Sequence, residues 1–376
     1  MAVLVQWPWL GIAIPCFLIS FTGYFAHFFV LTNFLSSSQL LWFQFSLSMI
    51  WLSYWKAIYT NPGKPIKGFQ PLRYEWQNYC TKCKTYKPER THHCKRCNQC
   101  VLVMDHHCPW TMNCVGYKNF PHFIRFLFWI IATTGVLLNY FLKRINFIWT
   151  NRYAVGNLVS KRELIFLTIL TPLDAFILLT ISLLFIRCVK NQVLNGRTQI
   201  EAWEMDRIEN LFHHRRLLPQ LLTNLKEIYP GSLEGRESEV EELLSTSTCS
   251  FDEVINFPYD INPWVNLRNC MGSPINWLNP FAGPGADGMT FQKNDISEYD
   301  EGTSIQDKLL SLPWPPDDTR NDIAFPSVSH VEKDTQGGEQ VVRRRYIPVD
   351  NVVPRKEWYN DWGESLEHFG VDVEVE

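Results

Sequence analysis

Residues 80–114 read CTKCKTYKPERTHHCKRCNQCVLVMDHHCPWTMNC and hold seven of the eleven cysteines of this 376-residue chain. The stretch repeats with a period of fourteen, because the pattern C-x2-C-x9-H-x6-C begins at Cys80 and begins again at Cys94. The two copies interleave in the sequence, and each contains three cysteines and one histidine. Three thiolates and one imidazole suit tetrahedral Zn(II) at a closed structural site. The repeat predicts two structural zinc ions, one held by Cys80, Cys83, His93 and Cys100 and one by Cys94, Cys97, His107 and Cys114.

Disulfide bonds and thiols without ligands are the alternatives for these cysteines. Disulfide frameworks are typical of short secreted domains, whereas CxxC pairs with interspersed histidines in a longer intracellular chain indicate a metal site. The first residues, MAVLVQWPWLGIAIP, lack the basic start and the small-residue cleavage site of a signal peptide. They are therefore interpreted as a membrane anchor, and zinc is favoured over disulfides.

One cysteine of the cluster belongs to neither set. The run His92-His93-Cys94 is echoed fourteen residues later by His106-His107-Cys108. A third set would need a second cysteine three residues further on, but Thr111 stands there. A lone cysteine most often fills a small apolar gap, and that is the alternative interpretation of Cys108.

The neighbours of Cys108 favour chemistry. If His107 is held by zinc, His106 is free to take the proton of Cys108. Asp105 can then fix the tautomer of His106 and stabilise its imidazolium form, as in an activated nucleophile with a base and an orienting acid. A thiolate beside a histidine and zinc has a lowered pKa and is a strong nucleophile near neutral pH. Asp105, His106 and Cys108 are therefore the predicted catalytic residues.

Four apolar stretches outside the cluster approach the ~20 residues needed to cross ~30 Å of hydrocarbon. The second stretch reaches that length only by running past Lys56, whose side chain can snorkel to the interface. Core helices of a large soluble protein are the alternative, but such helices seldom run so far without charge. Asp174 interrupts the fourth stretch and is expected to face the interior of the helix bundle. The predicted transmembrane spans are residues 8–31, 40–59, 126–142 and 164–186.

The charges of the connecting segments predict the orientation in the membrane. Residues 60–125 carry eleven basic residues against three acidic ones, which makes this cysteine-rich segment cytosolic under the positive-inside rule. A reducing compartment also preserves a thiol cluster. The loop 143–163 has five basic residues and opposes the rule, since four spans place it on the other side. Both termini and the C-terminal tail, residues 187–376, are predicted to be cytosolic.

The composition agrees with a membrane protein that has a polar tail. Charged residues make up 19%, aromatic residues 14%, and the net charge is −3. Because nucleic-acid-binding proteins usually carry a basic excess, this charge argues against nucleic acid as a partner. Amphipathic helices are expected within 197–230, and loops or partial disorder within 283–345, which is rich in Gly, Asp, Ser and Pro. The predicted fold is mainly α: a polytopic membrane protein with four transmembrane helices and a cytosolic, zinc-bound cysteine-rich domain.

From Cys80 to Phe123 the chain reads C-x2-C-x3-K-P-x-R-x2-H-C-x2-C-x2-C-x4-D-H-H-C-P-W-x2-N-C-V-G-x2-N-x3-F. This pattern resembles the cysteine-rich domain of the DHHC palmitoyltransferases. The resemblance implies four spans with this domain between the second and the third, and two structural zinc ions. It also implies palmitoyl-CoA as the acyl donor and palmitate held covalently on Cys108, with His106 as the base and Asp105 as its orienting residue. Cysteine thiols of client proteins would receive the acyl chain.

Two further family motifs match with one change each. Asp-Pro-Gly appears as Asn61-Pro62-Gly63, and Thr-Thr-x-Glu appears as Thr198-Gln199-Ile200-Glu201, which puts the roles of Asn61 and Gln199 in doubt. Residues 256–272 resemble a short C-terminal element that packs against the catalytic domain. The two ends of the chain and the block PERTHHCKRCNQCV are similar to the endoplasmic-reticulum members of the family in fungi. That similarity implies the endoplasmic-reticulum membrane and polytopic clients such as chitin synthase or amino-acid permeases.

An acyl chain on Cys108 would have to enter between the membrane helices. Trp110, Phe123 and Phe126 are expected to line the upper part of this groove. Thr133, with its neighbour Thr134, lies about ten residues into the third span, ~15 Å deep at 1.5 Å per residue, and is expected to mark the floor. The alternative is that the two threonines bond back to their own helix or pack against a neighbour.

A membrane-anchored zinc scaffold without chemistry is the alternative function. Zinc ligands alone would fit it, but a scaffold does not need the remaining pair His106 and Cys108. A zinc hydrolase would need an open metal position, whereas both predicted sites have four ligands. A transporter would need broken helices or several intramembrane charges in addition to Asp174. An S-acyltransferase is therefore the favoured prediction.

Overall fold

The protein is described by a computed structural model, which covers residues 8–72, 74–153, 159–245, 249–317, 330–336, 339–345 and 353–375. Long helices form the first half of the chain outside the cysteine-rich segment. Three helical segments are long and apolar enough to cross a membrane: Trp9–Asn33, Phe120–Thr150 and Lys161–Leu194. The first is built from α1 (Pro8–Ser20), a π-helical turn (Phe21–Phe25), α2 (Ala26–Phe29) and a 3-10 turn (Leu31–Asn33). The other two are α4 (Phe120–Thr150) and α5 (Lys161–Val189), which ends in a second π-helical turn, Lys190–Leu194.

The predicted second span is the helix α3, Ser37–Tyr59. Its serines, glutamines and Lys56 make it more polar than the other three segments, and it is not among the candidate spans found in the described residues. It runs antiparallel to α4, because Tyr54 stacks on Phe126 at 4.7 Å and Phe45 meets the edge of Trp129 at 5.8 Å. The mainly helical membrane architecture is confirmed, whereas a membrane crossing by α3 stays a prediction.

Helices α4 and α5 extend beyond the predicted stretches, which stopped at the first charged residue. An ion pair at the far end explains part of the extension: Arg144 donates to Glu163 at 2.6 Å, and both side chains are buried. This pairing neutralises one of the five basic residues that oppose the positive-inside rule. Eleven residues further along α5, Asp174 is fully buried in the bundle, as predicted for an intramembrane carboxylate.

The cysteine-rich segment consists of three short antiparallel hairpins. Each turns at a residue with positive φ, and these residues are fourteen apart: Lys84 (54°), Asn98 (48°) and Met112 (50°). The sequence period is thus a repeat of one backbone turn. The strands are β1 (Tyr79–Cys80) with β2 (Thr85–Tyr86), β3 (His92–Cys94) with β4 (Gln99–Val101), and β5 (His106–Cys108) with β6 (Asn113–Val115).

The C-terminal region forms a core of its own. Ile208, Leu221, Leu225 and Leu309 are fully buried there together with Trp314. The amphipathic helices expected in 197–230 are present as α6 and α7. The expectation of loops within 283–345 is wrong for α10, β7 and β8. A high content of Gly, Asp, Ser and Pro over a long segment does not reveal short helices and strands within it. The elements are α6 (Gln199–His213), α7 (Leu217–Ile228), α8 (Glu237–Ser245), α9 (Pro263–Met271), α10 (Ile305–Leu310), β7 (His330–Gln336) and β8 (Glu339–Arg345).

Candidate active site and zinc centres

The structure brings the eight predicted zinc ligands together in two groups of four. Within each group, the ligand atoms all lie within 4.8 Å of one another. Each CxxC pair comes from the turn of one hairpin, and the histidine and third cysteine are directly paired across the next hairpin, as His93 with Cys100 and His107 with Cys114. Consecutive hairpins therefore share the ligands, which is why the two sets interleave in the sequence. The groups are Cys80, Cys83, His93, Cys100 and Cys94, Cys97, His107, Cys114.

The spacing of the donor atoms fits zinc. With Zn–S near 2.3 Å and Zn–N near 2.0–2.1 Å, a tetrahedral site places sulfur and nitrogen about 3.6 Å apart. The Nδ1 atom of His93 lies 3.4, 3.3 and 3.8 Å from its three sulfur atoms. The corresponding distances at His107 are 3.7, 3.3 and 3.7 Å. All eleven cysteines are free thiols, so the two clusters fit zinc binding and not a disulfide framework.

The third hairpin has the same backbone turn as the second but a different side chain in it. Cys108 pairs with Asn113 across β5 and β6, in the register in which Cys94 pairs with Gln99 across β3 and β4. Thr111 occupies the position equivalent to Cys97, and its hydroxyl is 3.5 Å from the carbonyl oxygen of Cys108. Cys108 thus occupies the position of a first zinc ligand, without the ligands that would complete a site.

His106 and Asp105 stand next to this thiol. The Nδ1 atom of His106 is 2.8 Å from Oδ2 of Asp105, and the ring is in hydrogen-bonding contact with Cys108. If Nδ1–H donates to the carboxylate, Nε2 is the nitrogen left for the proton of the thiol. This is the order of groups that an activated nucleophile requires.

The electrostatics of the pair favour the charged forms. Burial lowers the pKa of His106, but the hydrogen bonds and charges of Asp105 and Cys108 outweigh burial and raise it to about 10. Burial raises the pKa of Cys108, whereas the hydrogen bond and the charge of His106 lower it, and the net shift is downward. Both shifts favour the same charge state, with the proton on the imidazole and a thiolate on the sulfur.

Asp105 is held by two groups that sequence reasoning missed. Its Oδ1 accepts hydrogen bonds from the side-chain amide of Gln192 at 3.1 Å and from the backbone N–H of Gln199 at 3.0 Å. Gln199 opens α6, so the positive end of that helix faces the carboxylate. Because the backbone makes this contact, the Gln in place of the family Thr at position 199 leaves it intact. No local signal in the sequence connects Gln192 to Asp105, which is 87 residues away.

Glu201 fixes the start of α6 against the hairpins. It completes a capping box with Thr198, and both of its oxygens accept hydrogen bonds from Arg90 at 2.6 Å. The guanidinium of Arg90 also lies 4.5 Å from the ring of Tyr259. The other family departure is equally conservative, because Oδ1 of Asn61 accepts from the N–H of Gly63 at 2.9 Å, as an aspartate would.

The third hairpin is seated on the end of α3 and on the start of α4. Asn113 donates to the last carbonyls of α3, including that of Ile58 at 3.0 Å, and the hydroxyl of Tyr54 donates to the carbonyl of Trp110 at 2.7 Å. Asn119, just before α4, donates to the carbonyl of Cys114 at 2.7 Å. These bonds put Cys108 at the point where the hairpin meets α3 and α4.

The surroundings of Cys108 are apolar. Its thiol is buried in a cluster that includes Tyr54, Phe123, Phe126 and Ile130 from α3 and α4. Trp110 lies at the rim and is 40% exposed. One turn below Ile130, the hydroxyl of Thr134 donates to the Ile130 carbonyl at 2.8 Å.

Thr133 differs from its neighbour. Its side chain is buried, and its hydroxyl oxygen has no hydrogen-bond partner within the described part of the chain. Of the predicted groove residues, Phe123 and Phe126 thus lie beside Cys108, Trp110 lies at the rim, and Thr133 lies deeper in the bundle.

Fold and site together define a membrane protein with a domain of zinc-binding knuckles. A thiol outside both clusters lies beside a histidine and an aspartate where this domain meets the helices. A model of the family described as DHHC palmitoyltransferase matches residues 73–206, which include all three hairpins. The chain is 87% identical over 376 residues to palmitoyltransferase PFA4 of Eremothecium gossypii, with both chains covered completely. It is 54% identical over 378 residues to palmitoyltransferase PFA4 of Saccharomyces cerevisiae, again over the whole of both chains, and 35% identical over 373 residues to that of Yarrowia lipolytica, over 97% of each.

The chain belongs to the DHHC palmitoyltransferases. It is therefore a protein-cysteine S-palmitoyltransferase that works in a membrane, and the prediction of an acyltransferase is confirmed against the scaffold alternative.

Proposed function

We propose that this palmitoyltransferase takes its acyl group from palmitoyl-CoA, holds it as a thioester on Cys108 and passes it to cysteine thiols of membrane-protein clients. The observation that carries the proposal is the position of Cys108: a knuckle thiol outside both zinc sets, beside a histidine that is held by a buried carboxylate. The zinc ions would hold the hairpins in shape, which is the role of closed four-ligand sites.

The first half-reaction follows from the charged pair. The Cys108 thiolate attacks the thioester carbonyl of palmitoyl-CoA, a bond forms between Sγ and the acyl carbon, and the bond from that carbon to the sulfur of CoA breaks. The imidazolium of His106 gives its proton to the departing CoA thiolate. Asp105 acts as the positioning residue, since it fixes the ring of His106 and is itself held by Gln192 and the first N–H of α6.

The second half-reaction uses the same groups in reverse. Neutral His106 takes the proton of a client thiol, and the resulting thiolate attacks the acyl carbon on Cys108. The acyl–Sγ bond breaks, and Cys108 returns to its thiolate form. A general base of this kind typically contributes 10²–10⁴-fold.

The apolar cluster around Cys108 supports an acyl groove. Phe123 and Phe126 would pack on the upper part of the chain, with Trp110 at the entrance. Each buried methylene contributes about 0.8 kcal/mol, so a groove along α3 and α4 would favour a long chain over a short one. Thr133 is the proposed floor residue.

The proposed setting is the endoplasmic-reticulum membrane, with the cysteine-rich domain and both termini in the cytosol. The basic excess of residues 60–125 supports the cytosolic orientation. Residence in the endoplasmic reticulum and polytopic clients, such as chitin synthase or amino-acid permeases, are supported by the likeness of the chain ends to fungal members of the family.

The test is acyl-enzyme formation by the purified full-length protein with an alkyne analogue of palmitoyl-CoA. We expect a label on the wild type that neutral hydroxylamine removes, because a thioester is cleaved under conditions that spare an amide or oxygen ester. Cys108→Ala should carry no label. Cys249→Ala is the matched control, since Cys249 is a half-buried free thiol outside the zinc clusters. A label that persists in Cys108→Ala would contradict the proposal.

A further inference from the structure

The last residues of the chain lie across both zinc clusters. Residues 365–375, named here the C-terminal strap, begin with a 3-10 turn, Leu366–Phe369, and then run along the second hairpin. Leu366 and Val371 are fully buried against Cys94 and Cys114 of the second cluster. The strap is about 290 residues away in sequence from the first CxxC pair it reaches. None of the sequence patterns of the cysteine-rich domain includes it.

The backbone of the strap forms a one-residue β-bridge to the second hairpin. Val371 forms an antiparallel bridge with Cys94. The N–H of Lys95 donates to the carbonyl of Gly370 at 3.0 Å, and the N–H of Asp372 donates to the carbonyl of His93 at 2.8 Å. The strand that receives these bonds, β3, carries one ligand of each cluster, His93 and Cys94. The position of β3 is therefore fixed from both sides, by β4 and by the strap.

Asp372 faces the first cluster. Its side chain is buried, and Oδ2 lies 3.9 Å from Nε2 of His93, whose Nδ1 faces the three sulfur atoms. Lys82, which lies within the first CxxC pair, forms an ion pair with the same carboxylate. A buried carboxylate is costly unless it is paired, and Lys82 provides the counter-charge. Histidines that bind a metal through one nitrogen almost always direct the other to a carboxylate, a carbonyl or water.

Gly370 brings the strap against the second cluster. Its φ is 85°, in the left-handed region, and a Cβ at this position would lie 2.5 Å from the Cβ of His107. Only glycine allows the chain to turn here and touch His107 without displacing it. The strap therefore contacts the histidine ligand of each cluster.

The chain just before the strap contacts the helix that holds Asp105. The indole of Trp203, in α6, donates to the carbonyl of Glu364 at 2.9 Å, and the Glu364 side chain pairs with Arg187 at 3.0 Å. The same helix α6 presents its first N–H to Asp105. The strap thus connects the zinc clusters to α6, the helix that holds Asp105.

We propose that the C-terminal strap is part of the zinc centre, with Asp372 as the outer-sphere carboxylate that orients His93 on the first zinc ion and Gly370 as the contact that seats the strap on His107. Asp372 is a positioning residue, because it acts through a zinc ligand and touches no reacting atom. Replacement of such outer-sphere partners typically costs 10–100-fold in metal affinity. The effect of Asp372 is specific to the first cluster.

The experiment follows the loss of each zinc ion separately in the full-length protein. A chelator is added, and alkylation of Cys83 and Cys97 is followed over time by peptide mass spectrometry. These two cysteines are matched reporters, since each is the half-buried ligand of its own cluster. In Asp372→Asn we expect Cys83 to become alkylated 10–100-fold faster than in the wild type, with Cys97 unchanged. Asp372→Glu should restore part of the protection.

Glu374→Gln is the control variant. Glu374 also pairs with Lys82, at 3.4 Å, but its side chain is 67% exposed, whereas that of Asp372 is buried. It should release both zinc ions at the wild-type rate. Wild-type alkylation of Cys83 in Asp372→Asn would overturn the proposal. Equal acceleration at Cys83 and Cys97 would also overturn it, because it would show that Asp372 only stabilises the fold as a whole.

Discussion

The second and third hairpins of the cysteine-rich domain pair their strands in the same register and turn at equivalent residues, Asn98 and Met112. The sulfur of Cys94 in the second hairpin has a partner cysteine three residues on, and further ligands from the next hairpin. In the third hairpin, Thr111 replaces that partner, and the chain continues into α4 where the remaining ligands would be. The thiol of Cys108 meets His106 and the side chains of membrane helices instead. One backbone motif thus supplies a residue of a zinc-binding cluster in one copy and the proposed nucleophile in the next.

The comparison shows how a reactive thiol is made inside a zinc domain. A zinc-bound thiolate is held by its metal, and its charge is shared with three other ligands. A thiolate that lacks the metal needs another positive charge, and His106 provides it because Asp105 keeps the ring oriented and protonated. The two neighbouring zinc clusters fix the hairpin on which this pair stands. Substitutions in the two hairpins can test whether the clusters maintain the fold and whether His106 supplies the charge beside Cys108.

The largest difference is expected between Cys94→Ser and Cys108→Ser. Cys94→Ser should lower the zinc content from two ions per chain to about one and unfold the cysteine-rich domain, because structural zinc contributes folding free energy directly. Cys108→Ser should keep two zinc ions and the wild-type fold but form no acyl-enzyme, since a serine hydroxyl is a poor nucleophile here. Metal analysis and acyl labelling of the two variants measure this. Two retained zinc ions in Cys94→Ser would refute the interleaved ligand sets.

The next effect concerns the charge that replaces zinc. His106→Ala should retain two zinc ions and lose 10²–10⁴-fold in the rate of self-acylation at neutral pH. The pH profile gives the specific sign. In the wild type, the lowered pKa of Cys108 and the raised pKa of His106, about 10, favour the charged pair, so the rate should depend only weakly on pH between 7 and 9. In His106→Ala the hydrogen bond and charge that lower the pKa of Cys108 are lost, while burial still raises it. The thiol pKa should then lie at or above its ordinary value of about 8.5, so the rate should rise about tenfold per pH unit up to that pH. Loss of zinc without recovery at high pH would mean that His106, and not His107, is the ligand.

A smaller effect is expected from the groups that hold Asp105. Gln192→Leu removes one hydrogen bond to a buried carboxylate, and bonds to charged groups contribute about 1.5–3 kcal/mol. Because the backbone N–H of Gln199 still donates, the loss in self-acylation should be at the lower end, about tenfold. Gln199→Ala is the matched control. It removes the side chain and keeps the backbone N–H that donates to Asp105, so its rate should be close to wild type. A tenfold loss in Gln199→Ala would show that the Gln199 side chain, and not the backbone N–H at the start of α6, holds Asp105.

The part of this site that the sequence predicts is the part with local periodicity. The period of fourteen is sufficient to group the eight zinc ligands and to single out Cys108, since each repeat is one backbone turn. Contacts between distant segments leave no such pattern. Gln192, the N–H of Gln199 and Asp372 reach the domain from 87 to 290 residues away, and they depend on how α6 and the C-terminal strap pack. The C-terminal end of α4 was predicted too early for another reason. Arg144 is buried in an ion pair with Glu163, so this charged residue does not end the helix.

The smallest predicted effect concerns the apolar side chains that surround Cys108 where a zinc site would have further ligands. These side chains form the proposed acyl groove, and its depth can be tested. Thr133 lies eleven residues from Arg144 on α4, and Asp174 lies eleven residues from Glu163 on α5. Because Arg144 and Glu163 form an ion pair, the two antiparallel helices bring Thr133 and Asp174 to the same depth.

Both side chains are buried, and in the described residues neither the Thr133 hydroxyl nor the Asp174 carboxylate has a hydrogen-bond partner. A polar level of this kind is a poor surface for a methylene chain, which is why the chain terminus should stop above it. Thr133→Trp should raise this floor and shift the preference towards shorter acyl-CoA chains by about fourfold for each methylene excluded, at 0.8 kcal/mol per methylene. Thr134→Trp is the control, since the Thr134 hydroxyl is bonded to the Ile130 carbonyl of its own helix. Competition between acyl-CoA chains of different length measures the shift, with zinc content as the check on folding. An unchanged preference in Thr133→Trp would assign the floor to α3, α5 or the first helical segment.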